Sequence, residues 1–221
     1  MDVDTYIEQH WGKKDVWKHL EWPKHQARLR ECASHLEGVR FADIGCAFGH
    51  STEIMSRFHA GHWLGIDFSP FAIDRARLAF PHLRFELVKR ISYLSALKRF
   101  QLDCVVCSEV IEHVTEDQLL VDRLIEITNK VIVLTTPKVS VNDPGHLRCY
   151  SKDKLSELFK NVWHEIYPFD NVFWFVIARP GLENKKEPPQ CLTPTSTPAD
   201  CSPQEVSGQQ ASGGCEAEKL V

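Results

Sequence analysis

The stretch Phe41–His50, which reads FADIGCAFGH, decides the fold predicted for this chain. It ends an apolar run over 39–44, places glycines at 45 and 49, and precedes a helix-like segment over 51–58 that Ser51 can cap. Glycines between a buried strand and a helix permit left-handed backbone angles and close approach of a ligand. The N-terminus of the following helix attracts negative groups. The stretch therefore predicts a β–α turn that binds a ligand.

On both sides of this stretch, strand-like and helix-like segments alternate. We predict strands over 39–44, 62–67, 83–88, 102–108 and 131–135, helices over 23–36, 51–58, 70–80, 116–129 and 151–160, and a closing pair of strands over 163–167 and 172–178. Such alternation is typical of a mostly parallel sheet. The predicted fold is α/β and Rossmann-like, with helices on both faces of the sheet and an antiparallel hairpin at one edge.

Three regions follow from the composition. Residues 1–37 form a helical segment with apolar anchors between charged residues, and we expect it to dock on the domain or to cover the substrate as a lid; its members of interest are Trp11, Lys13, Lys14, Trp17, Lys18, His19 and Trp22. Residues 38–180 form the α/β domain. From 181 to 221 aromatic residues vanish and Pro, Ser, Thr, Gln and Gly dominate, which predicts a disordered tail.

The overall composition argues against several classes of protein. The net charge is -4 and the pI about 6.3, so charge alone does not indicate a nucleic-acid partner. The N-terminus has no apolar signal segment and no apolar run approaches the roughly 18 residues of a membrane span. Cys104 and Cys107 alternate in a predicted strand, which points their thiols to opposite faces and disfavours a zinc site. We expect a cytoplasmic protein with reduced cysteines; its oligomeric state is not readable from the sequence.

Two acids mark the ends of the first two strands. Asp43 stands two residues before Gly45, where it would repel a pyrophosphate and favour a cationic amino group. The glycine spacing is G-x-A-x-G and not the G-x-G-x-x-G of dinucleotide-binding proteins, which disfavours a nicotinamide-dependent reductase. Asp67 ends the second strand, where an acid usually holds a ribose diol.

A polar cluster follows the fourth strand. The run 102–114, LDCVVCSEVIEHV, places Ser108, Glu109, Glu112 and His113 after an apolar strand. In α/β proteins, ligands bind at the carboxyl ends of the strands. This run therefore predicts a functional site close to the glycine turn.

Together the three motifs resemble the class I S-adenosylmethionine-dependent methyltransferase family over roughly residues 24 to 178. The run 109–113, EVIEH, is similar to the E-V-x-E-H of the ubiquinone-biosynthesis-type O-methyltransferases. Thr135-Thr136-Pro137 after strand five fits the same pattern. So does the run 146–151, HLRCYS, which resembles the family's H-x-R-x-[FY]-[ST] segment. Two departures are Ala47 in place of the usual glycine and the run 89–93, KRISY, in place of an acid that contacts adenine.

The resemblance implies a role for each matching residue. The turn from Gly45 through Cys46 and Ala47 to Gly49 would wrap the amino-acid end of S-adenosylmethionine, and Asp43 would order that turn and favour the ammonium group. Asp67 would hold the ribose, Phe68 would pack near the adenine, and Ser108 and Glu109 would lie near the sulfonium.

The chemistry requires a nucleophile in line with the methyl group and often a base. His113 and His146 are the candidate catalytic residues, since imidazole titrates near neutral pH. No metal is assigned, but two carboxylates and two imidazoles form a candidate set for Mg²⁺ or Mn²⁺, as in the metal-dependent small-RNA 2′-O-methyltransferases; its members are Glu109, Glu112, His113 and His146.

The sequence thus predicts an S-adenosylmethionine-dependent methyltransferase that acts on a small molecule, on oxygen. Two alternatives stay open: a metal-dependent RNA 2′-O-methyltransferase, and a non-catalytic S-adenosylmethionine-binding regulatory protein.

Overall fold

The computed structural model describes residues 16–139, 143 and 145–183. It has five α-helices, α1 to α5, in these residues: Pro23–Ser34, His50–Phe58, Pro70–Ala79, Asp117–Ile127 and Lys152–Leu158. Its seven strands, β1 to β7, are Arg40–Ile44, His62–Asp67, Arg84–Leu87, Leu102–Ser108, Thr128–Pro137, Trp163–Phe169 and Phe173–Arg179. The described part also contains 3-10 segments over Val16–Glu21, Ile91–Phe100 and Ile111–His113. Among the described residues, no helix combines the length and apolar character needed to cross a bilayer.

The seven strands form a single sheet in the order β3-β2-β1-β4-β5-β7-β6. The first five strands are parallel, whereas β7 pairs antiparallel with both β5 and β6. The predicted α/β architecture and its antiparallel edge hairpin are therefore confirmed. The strand order reverses between β1 and β4, which is the switch point where open α/β sheets leave a crevice for a ligand.

Helices cover both faces of the sheet. On one face, α4 and α5 pack against alternate residues of the central strands, including Val105 and Cys107. On the other face, α1 and α2 pack against Cys104 and Val106. Cys104 and Cys107 thus lie in different core clusters as free thiols, as the strand alternation predicts. Because both are desolvated, burial raises their pKa values.

Capping residues in the sequence predicted the start of two helices correctly and the start of a third one wrongly. Ser69 and Ser151 cap α3 and α5 by accepting the backbone N–H of Ala72 and Lys154. Ser51 was predicted to cap the second helix, and this is wrong: α2 begins at His50 with Gly49 as its N-cap and without a side-chain cap. The Ser51 hydroxyl donates to Asp43 instead.

Two other segments differ from the predictions. The segment 91–100, for which the sequence predicts no element, is a 3-10 helix that buries Leu94 and Leu97 against the α4 side of the sheet. Strand β5 is longer than the predicted 131–135 because α4 ends at Ile127 and the strand begins at the next residue. The predicted tail beyond 183 and residues 1–15, which include Trp11, Lys13 and Lys14, lie outside the described residues.

Candidate functional site

The glycine turn of the first motif lies at the carboxyl end of β1. Gly45, Ala47 and Gly49 have φ angles of 78°, 46° and 82°, so the turn uses the left-handed region three times in five residues. A Cβ atom on Gly45 would lie 2.3 Å from Cγ2 of Val110, and one on Gly49 would lie 2.7 Å from Phe85. The turn is therefore packed directly against the segment that follows β4.

Asp43 anchors the helix that follows this turn. Its side chain is 1% exposed, and Oδ2 accepts the hydroxyl groups of Ser51 and Thr52, both at 2.7 Å. Burial raises the pKa of this carboxyl, and the two hydroxyl donors oppose that rise. These bonds fix the first turn of α2, whereas the roles of Asp43 in ordering the glycine turn and toward an ammonium group stay predictions.

Asp67 holds the turn from the end of β2. Its Oδ2 accepts the N–H of Ala47 and its Oδ1 accepts the N–H of Ser69, both at 2.9 Å. A carboxylate oxygen has two lone pairs and can accept more than one hydrogen bond, so these bonds are compatible with a hydroxyl donor from a bound ribose. The side chains of Phe68 and Cys46 differ: Phe68 is half-buried beside the main core, whereas Cys46 is buried among Ile73 and other apolar residues. Cys46 could therefore contact a ligand only through its backbone.

The start of α2 fits the amino-acid end of S-adenosylmethionine. Gly49 has no side chain to cap the helix, so the N–H groups of its first turn are left for an external acceptor such as a carboxylate. The turn with three positive φ angles brings the backbone close to that position, and Asp67 stands beside it. The donor set and the open turn therefore fit the cofactor that the motifs imply.

Arg28 of α1 enters the site and was missed by the sequence analysis. Its side chain is 3% exposed, and Nη1 lies 2.9 Å from the hydroxyl oxygen of Ser108 and 3.1 Å from Oε1 of Glu109. Thr135 joins the group by donating its hydroxyl to Glu109 at 3.0 Å. Phe173 lies under the guanidinium, at 4.9 Å from its ring centre. Ser108 and Glu109 thus share one partner, a cation from the N-terminal segment, and their position near the sulfonium stays a prediction.

The signal for Arg28 is present in the sequence. Leu29, Cys32, Ala33 and Leu36 are buried on one stripe of this segment, and Arg28 falls on the same stripe. A single arginine in an apolar stripe indicates a buried charge with a partner, because an unpaired buried charge is costly. The partner itself could not be inferred, since it lies about 80 residues away in the chain.

Glu112 is fully buried behind Glu109. Its Oε2 accepts the hydroxyl of Thr136 at 3.1 Å, and its Oε1 has no hydrogen-bond partner among the described residues. Burial, reinforced by the negative charge of Glu109, raises the pKa of Glu112 to about 8. The folded protein therefore binds a proton at Glu112 that the unfolded chain releases near pH 4.5.

The raised pKa of Glu112 predicts that the free energy of unfolding decreases as the pH rises. Between pH 4.5 and 8 the unfolded chain has lost the proton while the folded state keeps it, so stability falls as pH rises, by up to about 1.4 kcal/mol per pH unit. Glu112→Gln should remove this contribution. We expect urea unfolding in EDTA to show that the stability difference between Glu112→Gln and the wild type grows in favour of the variant from pH 5 to pH 8. A constant difference over that range would contradict the buried proton.

His113 and His146 face each other beside Glu112. Their ring centres are 4.6 Å apart at nearly a right angle. His113 Nδ1 lies 3.0 Å from the carbonyl oxygen of Gly145, so Nδ1 carries the proton and Nε2 keeps a lone pair. Burial and the neighbouring His146 lower the pKa of His113, which favours the neutral ring.

The predicted metal-ligand set is brought together only in part. One ligand atom each from Glu112, His113 and His146 lie within 4.8 Å of one another, whereas Glu109 is outside this group and pairs with Arg28. Glu112 Oε1 and His146 Nδ1 are buried without hydrogen-bond partners among the described residues. A carboxylate and two imidazoles can bind a divalent cation, so the arrangement fits an ion as well as a proton-transfer role.

Comparison with known proteins finds similarity in sequence over part of the chain and in fold over most of it. Residues 42–130 match a family model described as a methyltransferase domain. The ubiquinone biosynthesis O-methyltransferase of Alkalilimnicola ehrlichii is 33% identical over 91 residues, which cover 40% of this chain and 36% of that protein. The enzyme of the same name from Neisseria meningitidis is 31% identical over 120 residues, which cover 50% of this chain and 49% of that protein. The chain thus spans half or less of the length of these curated relatives.

A solved structure extends the likeness to most of the chain. Magnesium protoporphyrin IX methyltransferase from Synechocystis PCC 6803, with bound S-adenosylhomocysteine, superposes with a TM-score of 0.60 over 80% of this chain and 97% of its own, at 13% identity. At this identity the likeness concerns the fold, and the motif residues and the matched family model carry the assignment. Residues 42–130 therefore match a methyltransferase domain, and the chain is similar to class I S-adenosylmethionine-dependent methyltransferases in its motifs and its fold.

Proposed function

We propose that this protein transfers the methyl group of S-adenosylmethionine to an oxygen of a small-molecule acceptor. The observation that carries the proposal is His113, a neutral imidazole whose Nε2 lone pair lies at the carboxyl edge of the sheet, three residues after the Val110 that packs on Gly45. The names of the curated relatives, which are O-methyltransferases, support oxygen as the acceptor atom.

Different residues of the chain would bind the cofactor and accept the proton of the acceptor. The N–H groups at the start of α2 and the turn Gly45–Gly49 bind the amino-acid end of the cofactor, and Asp67 binds its ribose. When bound, S-adenosylmethionine supplies an electrophilic methyl group on a sulfonium. His113 Nε2 would accept the proton of the acceptor hydroxyl, and His146 packs edge-on against the His113 ring.

The N-terminal region takes part in this site under the proposal. Arg28 pairs with Glu109, and Trp17 stacks on His50 at the first residue of α2, with ring centres 4.3 Å apart. We propose that residues 1–37 form a docking and lid segment and that residues 38–180 form the methyltransferase domain.

A second candidate function depends on the cluster of Glu112, His113 and His146. Two buried atoms of that cluster, Glu112 Oε1 and His146 Nδ1, have no hydrogen-bond partner in the part of the chain that the structure describes. They favour a Mn²⁺ or Mg²⁺ ion that would hold the acceptor oxygen. Such an ion would orient a ribose hydroxyl as readily as a phenol. RNA is therefore the acceptor class to test if the metal proves necessary.

Calorimetric titration with S-adenosylhomocysteine tests the proposal. We expect micromolar binding of S-adenosylhomocysteine and no binding of NAD⁺, because the turn lacks the dinucleotide spacing. Folded protein that does not bind S-adenosylhomocysteine would overturn the proposal. Turnover is then measured by the formation of S-adenosylhomocysteine with phenolic, carboxylate and RNA acceptors.

The same experiment with EDTA and with Mn²⁺ separates the two candidates. Activity that survives EDTA supports His113 as the base, whereas activity that needs Mn²⁺ supports the metal-dependent function. Binding of S-adenosylhomocysteine with no turnover of any acceptor class would favour the regulatory alternative. The matched control is His164→Ala, because His164 bonds Ser156 and the backbone of Val162 and lies outside the site.

A further inference from the structure

Residues 145–151, the return segment, carry one side of the catalytic cluster without any regular structure of their own. The segment has no helix or strand up to Ser151, and it brings His146 against His113. Leu147 is 51% exposed and Cys149 is exposed as well. Tyr150 packs in the main core at one end of the segment. The chain from Gly145 to Cys149 has no residue in that core, so polar contacts fix the position of His146.

Three side chains supply those contacts. Arg148 donates through Nη1 to Oδ2 of Asp117 at 2.7 Å and through Nη2 to the carbonyl of Thr115 at 3.2 Å. Tyr150 is 3% exposed, and its hydroxyl lies 3.2 Å from both Oδ2 of Asp117 and the carbonyl oxygen of Ile111. We call Asp117, Arg148 and Tyr150 the clamp.

The clamp joins the return segment to the run that follows β4. Asp117 is the first residue of α4, so its position is fixed by a helix packed on the sheet. Between the clamp and the histidines, the Leu147 N–H donates to the carbonyl of Glu112 at 2.8 Å. The His113 ring donates to Gly145 on the other side of His146. The chain on both sides of His146 is thus tied to the segment that carries Glu112 and His113.

We propose that the clamp of Asp117, Arg148 and Tyr150 is the positioning device that sets His146 against His113 and Glu112, and that the reaction depends on it. The clamp touches neither the glycine turn nor Asp67, so it acts on the chemical step and leaves cofactor binding unaffected. The planar fork of Arg148 bonds a carboxylate and a carbonyl at the same time, which a single ammonium cannot reproduce. This inference rests on the proposed function only where it concerns catalysis.

The chain offers a matched control for the clamp. Arg123 lies on the same helix as Asp117, forms an ion pair with Glu126, and its side chain is 31% exposed, against 32% for Arg148. The variants to compare are Arg148→Gln, Arg148→Lys, Asp117→Asn and Arg123→Gln. Asp117→Asn keeps a hydrogen-bond acceptor and removes only the charge, so it retains a testable protein if Arg148→Gln fails to fold.

Two readouts decide the proposal. The first is amide hydrogen exchange in the peptides that cover 109–113 and 145–151, where we expect Arg148→Gln to speed exchange of the Leu147 amide by about tenfold or more. The second is kinetics: we expect kcat to fall about 10- to 100-fold in Arg148→Gln while the Kd for S-adenosylhomocysteine changes less than about twofold. Arg148→Lys should recover part of the kcat, and Arg123→Gln should match the wild type in both readouts.

Three results would overturn the clamp. They are unchanged exchange at 145–151 in Arg148→Gln, an equal loss of kcat in Arg123→Gln, and a parallel loss of kcat and S-adenosylhomocysteine affinity. If the wild type itself does not bind S-adenosylhomocysteine, the proposed function fails, and the exchange experiment still decides whether the clamp holds the return segment.

Discussion

Replacement of Arg28 by alanine is expected to destabilise the protein by about 3 kcal/mol, which lowers the melting temperature by roughly 10 °C for a chain of this size. The pair with Glu109 joins α1 to the ends of β4 and β5, and the arginine is 3% exposed. Without the guanidinium, Glu109 lacks its only cationic partner among the described residues, beside an already buried Glu112. Ser108 and Thr135 each lose a donor in the same substitution.

The substitution should also weaken cofactor binding. Ser108 and Glu109 are the residues proposed to lie near the sulfonium, and Arg28 fixes both. We expect the Kd for S-adenosylmethionine, measured by calorimetry, to rise about tenfold or more, because a displaced carboxylate no longer lies beside the positive charge of the sulfonium.

Two controls isolate the contribution of the buried pair. Arg30→Ala removes a cation from the same helix, but Arg30 is exposed and stacks on Phe58, so its loss should cost less than about 0.5 kcal/mol. Arg28→Lys keeps the charge and loses the forked donor geometry, and it should fall between the two. If Arg28→Ala unfolds in urea at the same concentration as Arg30→Ala, the assignment of Arg28 is wrong.

The second large effect is expected at Asp67. Asp67→Asn should raise the Kd for S-adenosylhomocysteine about tenfold or more, because a charge-assisted acceptor for the ribose hydroxyls is lost. The side chain also accepts the N–H groups of Ala47 and Ser69, and the amide of asparagine has one acceptor oxygen where the carboxylate has two. The glycine turn should therefore loosen at the same time.

Asp74→Asn is the matched control for Asp67. Asp74 lies on α3, its side chain is 74% exposed, and its contact with Arg77 at 3.7 Å is on the surface. This variant should bind S-adenosylhomocysteine with wild-type affinity. Unchanged affinity in Asp67→Asn would exclude the ribose role, and faster exchange of the Ala47 amide in that variant would then leave Asp67 only its structural role.

Sequence patterns predicted the sheet well because they are local. Apolar runs, the glycines at 45 and 49, and the serine caps at 69 and 151 all act within a few residues of the element they specify. The failed prediction, Ser51 as a cap, shows the limit of such reasoning. The Ser51 hydroxyl donates to Asp43, a buried carboxylate eight residues earlier in the chain. A buried carboxylate without hydrogen-bond donors costs more free energy than an uncapped helix N-terminus, so this bond is preferred over the cap.

The sequence predicted that polar residues follow β4, but it did not predict which partner each of them has. Glu109 and Glu112 are equivalent in the pattern of the motif, and both were assigned to one candidate metal set. In the structure Glu109 pairs with Arg28, while Glu112 is buried beside His113 and His146. The backbone at Glu109 has a φ of 59°, in the left-handed region, and the chain turns between the two carboxylates. They therefore point toward different neighbours, Glu109 toward Arg28 and Glu112 toward the two histidines.

By itself, the sequence determined the fold class, the glycine turn, the acids at the ends of β1 and β2, and the residues after β4, because each depends on periodicity or spacing within a short stretch. Only the tertiary structure decided that Arg28 enters the site, that β7 lies between β5 and β6, and that the return segment places His146 against His113. These contacts join residues about 30 to 110 positions apart, and their free energy comes from burial and charge pairing across elements. No local sequence pattern determines which buried charges form a pair, because the pairing depends on how the helices pack on the sheet.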